Sequence, residues 1–276
     1  MINKRHFLCF LGVLFFFLSC KKEDKAIPIL TTNEIKDISQ TTISCGGKIS
    51  SDGGSEIIER GICLSLKPNP SISDSVIIVD EKTNDFEVIV NNLMPNTSYY
   101  LKAFAKNING IGYGNEQNIK TLSFSIGDKF GGGVVFYIFP SGQHGLIASQ
   151  FDANIGTDWG CFGTAIPNAQ NEGIGFGKAN SKAILQNCAT PNIAARICDN
   201  YTLGGFEDWY LPSKDELNAM YNAKDLVGGF SDYYYWSSTE SRTYYAWIQA
   251  FLGGTQGTQV KSSQYRVRAI RVFRFT

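Results

Sequence analysis

Histidine is nearly missing from this chain. Of 276 residues only His6 and His144 carry an imidazole, and His6 lies in an N-terminal apolar leader. A zinc site built from several histidines is thereby excluded, and no metal or cofactor is expected. A Ser-His-Asp triad would have to use His144, which sits in the turn from Pro140 to Gly145, and there is no G-x-S-x-G elbow anywhere. A surplus of one charge is lacking as well. The 25 Lys and Arg match 25 Asp and Glu, and removing residues 1–20 leaves 23 against 25. Nothing supplies the basic stripe that nucleic acid needs, so nucleic acid is not an expected partner. Long apolar runs are confined to one place, Phe7 to Leu18.

That run is twelve residues long, follows Lys4 and Arg5, and ends at Ser19-Cys20. As a helix it would rise about 18 Å, short of a hydrocarbon core of roughly 30 Å, so it suits a secretory h-region rather than a span. The sequence Phe17-Leu18-Ser19-Cys20 resembles the bacterial lipoprotein pattern, with residues 1–19 as signal peptide and Cys20 as the lipidated N-terminus. An ordinary signal peptide with an incidental cysteine is the competing reading. Three palmitate-sized acyl chains, at about 0.8 kcal/mol per methylene, would exceed ~30 kcal/mol of membrane affinity. Residues 20–28 then form a tether, and Lys21-Lys22-Glu23-Asp24-Lys25 looks like the signal that sends Bacteroidota lipoproteins to the outer face of the outer membrane. The expected partner there is outer-membrane lipid.

From 29 to 121 short patterned runs alternate with turn residues every 8–12 positions. Strands are predicted at 41–50, 56–65, 76–80, 84–91, 98–107 and 113–121, separated by Ser51-Asp52-Gly53-Gly54, Pro68-Asn69-Pro70 and Asn107 to Gly110. This spacing predicts an all-β sandwich. In Leu93-x-Pro95-x-Thr97-x-Tyr99, continued by Leu101, Ala103 and Ala105, alternate residues face the core, and the Tyr99 hydroxyl can reach back to the preceding corner. The pattern resembles fibronectin type III domains, and SSDGGSEIIERGIC the version common in Bacteroidota surface proteins. The resemblance implies a spacer and carries no ligand residues.

The second unit, 122–276, opens with a hairpin made of GGGVVFYIF (131–139), a turn and Leu146-Ile147-Ala148. A Gly/Asn/Asp-rich segment, 152–178, holds Asp158-Trp159-Gly160-Cys161. A helical pattern through Ala183, Ile184, Ala194, Ala195, Ile197 and Cys198 follows, with strands near Tyr234–Ser237, Ala246–Phe251 and Arg266–Phe273. GGG at 131–133 precedes a strand, which argues against a phosphate cradle. The segment DWYLPSKDEL, 208–217, puts Asp208, Asp215 and Glu216 close together, as a hydrolase's acid and base would be. Ser213 followed three residues later by Glu216 is a capping box, Asp215 lies in the first turn, and Leu217, Met220 and Tyr221 supply a buried stripe. Adjacent acids point about 100° apart on a helix, a poor geometry for acid and base. The acids are expected to build a helix.

The ordered set GGGVVFYI, QHGLIA, WGC, GGFEDWYLPSKDEL, YYWSST and RVRAIRVF resembles the C-terminal domain of the Legionella collagen-like adhesin and is similar to the Fibrobacter major paralogous domain. The resemblance implies an α+β C-type-lectin-like domain after the sandwich. It also implies non-catalytic recognition of extracellular glycan or matrix, since the family's named member binds sulfated glycans and host surfaces. The formylglycine-generating enzyme shares that broad fold, but Cys161, Cys188 and Cys198 do not match its motif. An enzyme of carbohydrate or thiol redox chemistry, and a purely structural surface component, stand as the alternatives. In an exported domain these three cysteines should make one disulfide and leave one buried thiol; Cys188–Cys198 and Cys161–Cys188 are both open, and Cys188–Cys198 is the pairing expected. Ligand contact is expected from the polar loops 153–176, 240–244 and 253–265, through Trp159, Arg242, Tyr244, Gln256, Lys261 and Tyr265. An exposed arginine would suit an acidic group.

Overall fold

A computed structural model describes residues 25–275. The expected signal peptide, the expected lipidation site Cys20 and most of the expected tether therefore lie outside the described residues.

The first unit contains β1 (Ile29–Thr32), β2 (Ile43–Ser51), β3 (Glu59–Ser65), β4 (Ser75–Ile78), β5 (Asp85–Val90), β6 (Ser98–Asn107), β7 (Gly110–Tyr113) and β8 (Gln117–Lys120). One sheet has the order β1-β2-β5; the other has β4-β3-β6-β7, with β8 also paired to β6. This is the two-sheet strand arrangement of a fibronectin type III-like sandwich. Tyr99, Leu101, Ala103 and Ala105 all point into its core, beside Ile43, Ile62 and Phe86. The Tyr99 hydroxyl accepts the Met94 amide at 2.9 Å, closing the corner before β6. The sheets approach so closely that a Cβ on Gly47 would come within 2.5 Å of the Ala103 Cβ. A strand absent from the sequence reading, β1, is only ILTT, too short to show a period. It pairs antiparallel with β2, and Thr32 Oγ1 accepts the Ala103 amide from the facing sheet at 3.0 Å.

The second unit contains β9 (Lys129–Phe130), β10 (Gly133–Ile138), β11 (His144–Ala148), β12 (Asn154–Thr157), α1 (Gly177–Asn187), α2 (Ala194–Asp199), α3 (Lys214–Asn222), α4 (Lys224–Val227), β13 (Tyr234–Arg242), β14 (Tyr245–Ala250), β15 (Gln256–Val260), β16 (Tyr265–Val267) and β17 (Ile270–Arg274). A four-stranded sheet runs β17-β11-β10-β9, and a five-stranded sheet runs β12-β16-β13-β14-β15. All pairings are antiparallel except β13 with β16. The helices are short, and the unit is α+β with most of its regular structure in strands. Its hydrophobic clusters hold residues from Phe124 onward, apart from the sandwich core.

The structure departs from the sequence-based expectations at three places. The single helical pattern through 183–198 is two helices, because Pro191 and Asn192, the latter at φ 55°, interrupt it. The expected loops 153–176, 240–244 and 253–265 contain β12, the end of β13, β15 and the start of β16. Glycine, threonine and glutamine gave QGTQV no strand signal, but β15 pairs along its whole length with β14. The pairing Cys188–Cys198 does not form: the disulfide is Cys161–Cys188, and Cys198 is a buried free thiol at the end of α2.

The three acids of DWYLPSKDEL have separate duties. Asp208 takes both arms of Arg271, at 2.6 and 3.2 Å. Asp215 stands in the first turn of α3. Glu216 closes the capping box, accepting the Ser213 amide at 2.8 Å and the Gly175 amide at 2.9 Å, while Ser213 Oγ accepts the Glu216 amide at 3.2 Å. Burial pushes the Glu216 carboxyl up to about 7 from an ordinary 4.5, against the backbone donors that hold it down. A raised carboxyl favours the folded state fully below pH 4.5, and that contribution is lost as pH rises through 7. Relative to Glu216→Gln, the wild type should therefore lose stability on the order of 3 kcal/mol between these limits. Urea melts of both proteins across this range check it; parallel pH profiles would refute the raised carboxyl.

Candidate functional site

The six residues expected at a ligand face divide into two groups. Trp159 and Lys261 are corrected: both are fully buried. Trp159 lies in the main core and donates its indole N–H to the Ser237 carbonyl at 2.8 Å. Lys261, immediately after β15, places its ammonium 4.6 Å from the Trp159 ring centre and pairs with the buried Glu240 of β13. It also donates to the Thr164 carbonyl at 2.8 Å, while Glu240 accepts the Ile166 amide at 2.9 Å. Desolvation pulls the Lys261 ammonium below its usual range, and the Glu240 carboxylate holds it up. This ion pair pins the segment 159–166 to the five-stranded sheet. Sequence could not show it, because a lysine in a Ser/Thr/Gln-rich stretch reads as solvated.

The other four stay at or near the surface but do not converge. Arg242 and Tyr244 are exposed at the tight turn between β13 and β14, where Tyr244 meets the exposed Phe162 at 5.1 Å and Arg242 lies 5.2 Å over Tyr245. Gln256 is on the helix-facing side of the sheet and donates to the Lys214 carbonyl at 2.9 Å. Tyr265 is half-buried at the opposite end of β13, beside Tyr234 at 5.4 Å and Trp236 at 5.0 Å.

That end of the sheet carries two tyrosines of the run Tyr233-Tyr234-Tyr235-Trp236, where alternation along a strand leaves about half the rings facing outward, although neither is among the six expected contact residues. Tyr233 and Tyr234 are both exposed, with ring centres 5.9 Å apart, and together with Tyr265 they form an aromatic cluster. Beneath it Trp236 is fully buried and donates its indole N–H to the Thr157 carbonyl at 2.8 Å. Beside the tyrosines runs a trough of about 460 Å³ over β14 and β15, with Ile248, Ala250 and Gly257 in its floor and Thr255, Thr258 and Gln259 along it. Register explains the hollow: Gly257 stands opposite Ile248, and a Cβ there would meet nothing within 4 Å. Asp232 is the one ionisable group besides the tyrosines that lines it. The signal in the sequence was the adjacency of Tyr233 and Tyr234 to a glycine-bearing polar strand, but the pairing that joins them is tertiary.

Ser141 Oγ and His144 Nδ1 are 3.0 Å apart, yet the serine oxygen also accepts the Gln143 amide, as in a local turn motif. The imidazole stacks on Phe139 at 4.2 Å, and among the described residues no carboxylate bonds to it. Also among the described residues, no cluster of three His, Cys, Asp or Glu side chains could hold a metal ion.

The architecture is that of a two-unit protein: a fibronectin type III-like sandwich followed by a mostly β, α+β domain with an aromatic trough. The family of the Lcl C-terminal domain matches residues 165–271, so the second unit carries an Lcl C-terminal domain. The match takes in all four helices and the strands that build the trough. No curated protein matches the chain in sequence. Solved structures similar to the chain include the sensor domain of the anti-sigma factor RsgI4 of Pseudobacteroides cellulosolvens, at 19% identity over 36% of this chain and 98% of that one, TM-score 0.29. The FN3 domain of human collagen XX is similar at 16% identity over 35% and 94%, TM-score 0.28. The FN1–FN3 domains of chicken CNTN1 are similar at 18% identity over 36% and 33%, TM-score 0.28. The sandwich assignment rests on strand order and the tyrosine corner rather than on these likenesses.

Proposed function

We propose that the protein is a lipid-anchored recognition protein of the outer cell surface. In this reading Cys20 carries the anchor, the sandwich is a spacer, and the Lcl C-terminal domain presents the face that contacts extracellular glycan or matrix. The observation that carries the reading is the aromatic trough, a concave face on a rigid sheet beside two tyrosine rings that stay exposed although they pack on each other and on Tyr265. The Lcl C-terminal domain is compatible with adhesion without catalysis. A disulfide in the same domain suits an oxidising compartment.

Cells expressing the full chain provide the test. They should adhere to surfaces coated with matrix proteins or glycans, and deleting residues 126–275 should abolish adhesion. Cys20→Ala should move the protein from the membrane fraction to the medium or periplasm. Adhesion unchanged by the deletion would remove the recognition reading, and membrane retention of Cys20→Ala would remove the anchor.

A further inference from the structure

We propose that the trough beside Tyr233 and Tyr234 binds an uncharged carbohydrate, with a sugar ring seated against the tyrosines and its hydroxyls bonded along β15. This rests on the recognition reading above and adds the ligand's chemical class and place.

The trough offers two kinds of surface at once. Exposed tyrosine faces and the Ile248–Ala250 floor suit the C–H face of a pyranose, and aromatic rings make such contacts at low entropic cost. On the trough's side of β15, the Gln259 side chain and the neighbouring Thr255 side chain make no hydrogen bond with protein among the described residues, so their donors and acceptors remain for a ligand's hydroxyls. A volume of about 460 Å³ lies within the usual span of ligand pockets, roughly 300–1,000 Å³. Rigidity comes from below, where Trp236 is hydrogen-bonded and buried.

Charge decides against an acidic ligand. No lysine or arginine lines the trough. Lys261 is committed to Glu240 and the fully buried Arg268 to Asp152 at 2.7 Å; the partly exposed Arg266 shares Asp152 at 2.8 Å and lies 6.0 Å over the Tyr233 ring, outside the trough lining. Arg242 is at the other end of β13. Asp232 on the rim is acidic, so a sulfate or carboxylate placed here would lose water and meet a like charge. An uncharged sugar pays neither cost.

The test uses the full chain in detergent against immobilised cellohexaose, xylohexaose and mannohexaose, with heparin, dextran sulfate and an uncharged extended peptide alongside. Binding to at least one neutral oligosaccharide is expected, changing less than about twofold between low and physiological salt. Tyr234→Ala should weaken it by roughly tenfold or more. Gly257→Val should abolish it with an unchanged melting temperature, because the new side chain enters open space in a strand that favours β-branched residues. Arg242→Ala should leave it unchanged. Salt-sensitive binding to heparin or dextran sulfate that Arg242→Ala removes would overturn the inference while leaving recognition intact. Peptide binding, full binding by a folded Gly257→Val, or no binding to any oligosaccharide would also overturn it; cell adhesion that persists in any of those cases would keep the recognition reading.

Discussion

Lys261→Met should destabilise the protein by about 3–5 kcal/mol, the cost of leaving a buried carboxylate without its counter-ion. Methionine keeps the aliphatic stem against Trp159, so the loss reports the charge rather than a cavity. Glu240 would remain fully enclosed, with only the Ile166 amide and the Gln170 side chain to compensate it. The double variant Lys261→Met, Glu240→Gln should recover most of the loss, since a neutral amide still accepts the Ile166 N–H and carries no charge to desolvate. Equilibrium denaturation of the two single variants and the double variant measures this as a coupling energy. A Lys261→Met protein within about 1 kcal/mol of wild type would mean that the pair is hydrated, and the buried geometry would have to be abandoned.

Opening the Cys161–Cys188 bridge should cost about 3–4 kcal/mol, from the loop-closure entropy of a 27-residue separation. The bridge ties the loop after β12 to the end of α1, and its loss should loosen 158–193 before the rest of the domain. Melting of the double serine variant, followed by hydrogen exchange, reads both effects. Reductant should lower the wild-type melting temperature toward the variant's and leave the variant unchanged. Thiol mapping of the oxidised protein should find Cys198 free, since its buried sulfur is held well above the usual thiol range by desolvation. Recovery of a Cys188–Cys198 peptide would contradict the structure directly.

Much of the framework was legible in the residues. The Tyr99 corner, the alternation through Leu101, Ala103 and Ala105, and the Ser213–Glu216 capping box appear in the structure where local chemistry placed them. Each depends on neighbours within a few positions, and such interactions leave a period or a spacing behind. The bounds set by scarcity were also readable: two histidines, His6 and His144, and a balanced charge are statements about composition and need no fold.

What the sequence could not show was decided by partners far along the chain. Lys261 reads as a surface lysine until Glu240 and Thr164 surround it, and Trp159 as a loop aromatic until Ser237 takes its N–H. The disulfide partner of Cys188 depends on where the segment around Trp159 folds back, not on which cysteine is nearer in sequence. The trough has the same origin. Its tyrosines come from one end of β13 and its floor from β14 and β15, and Gly257 creates a hollow only because register sets it opposite Ile248. Local interactions determined the strands, the cap and the corner; burial and strand pairing, which act between distant residues, decided which charges face one another and which rings are left for a ligand.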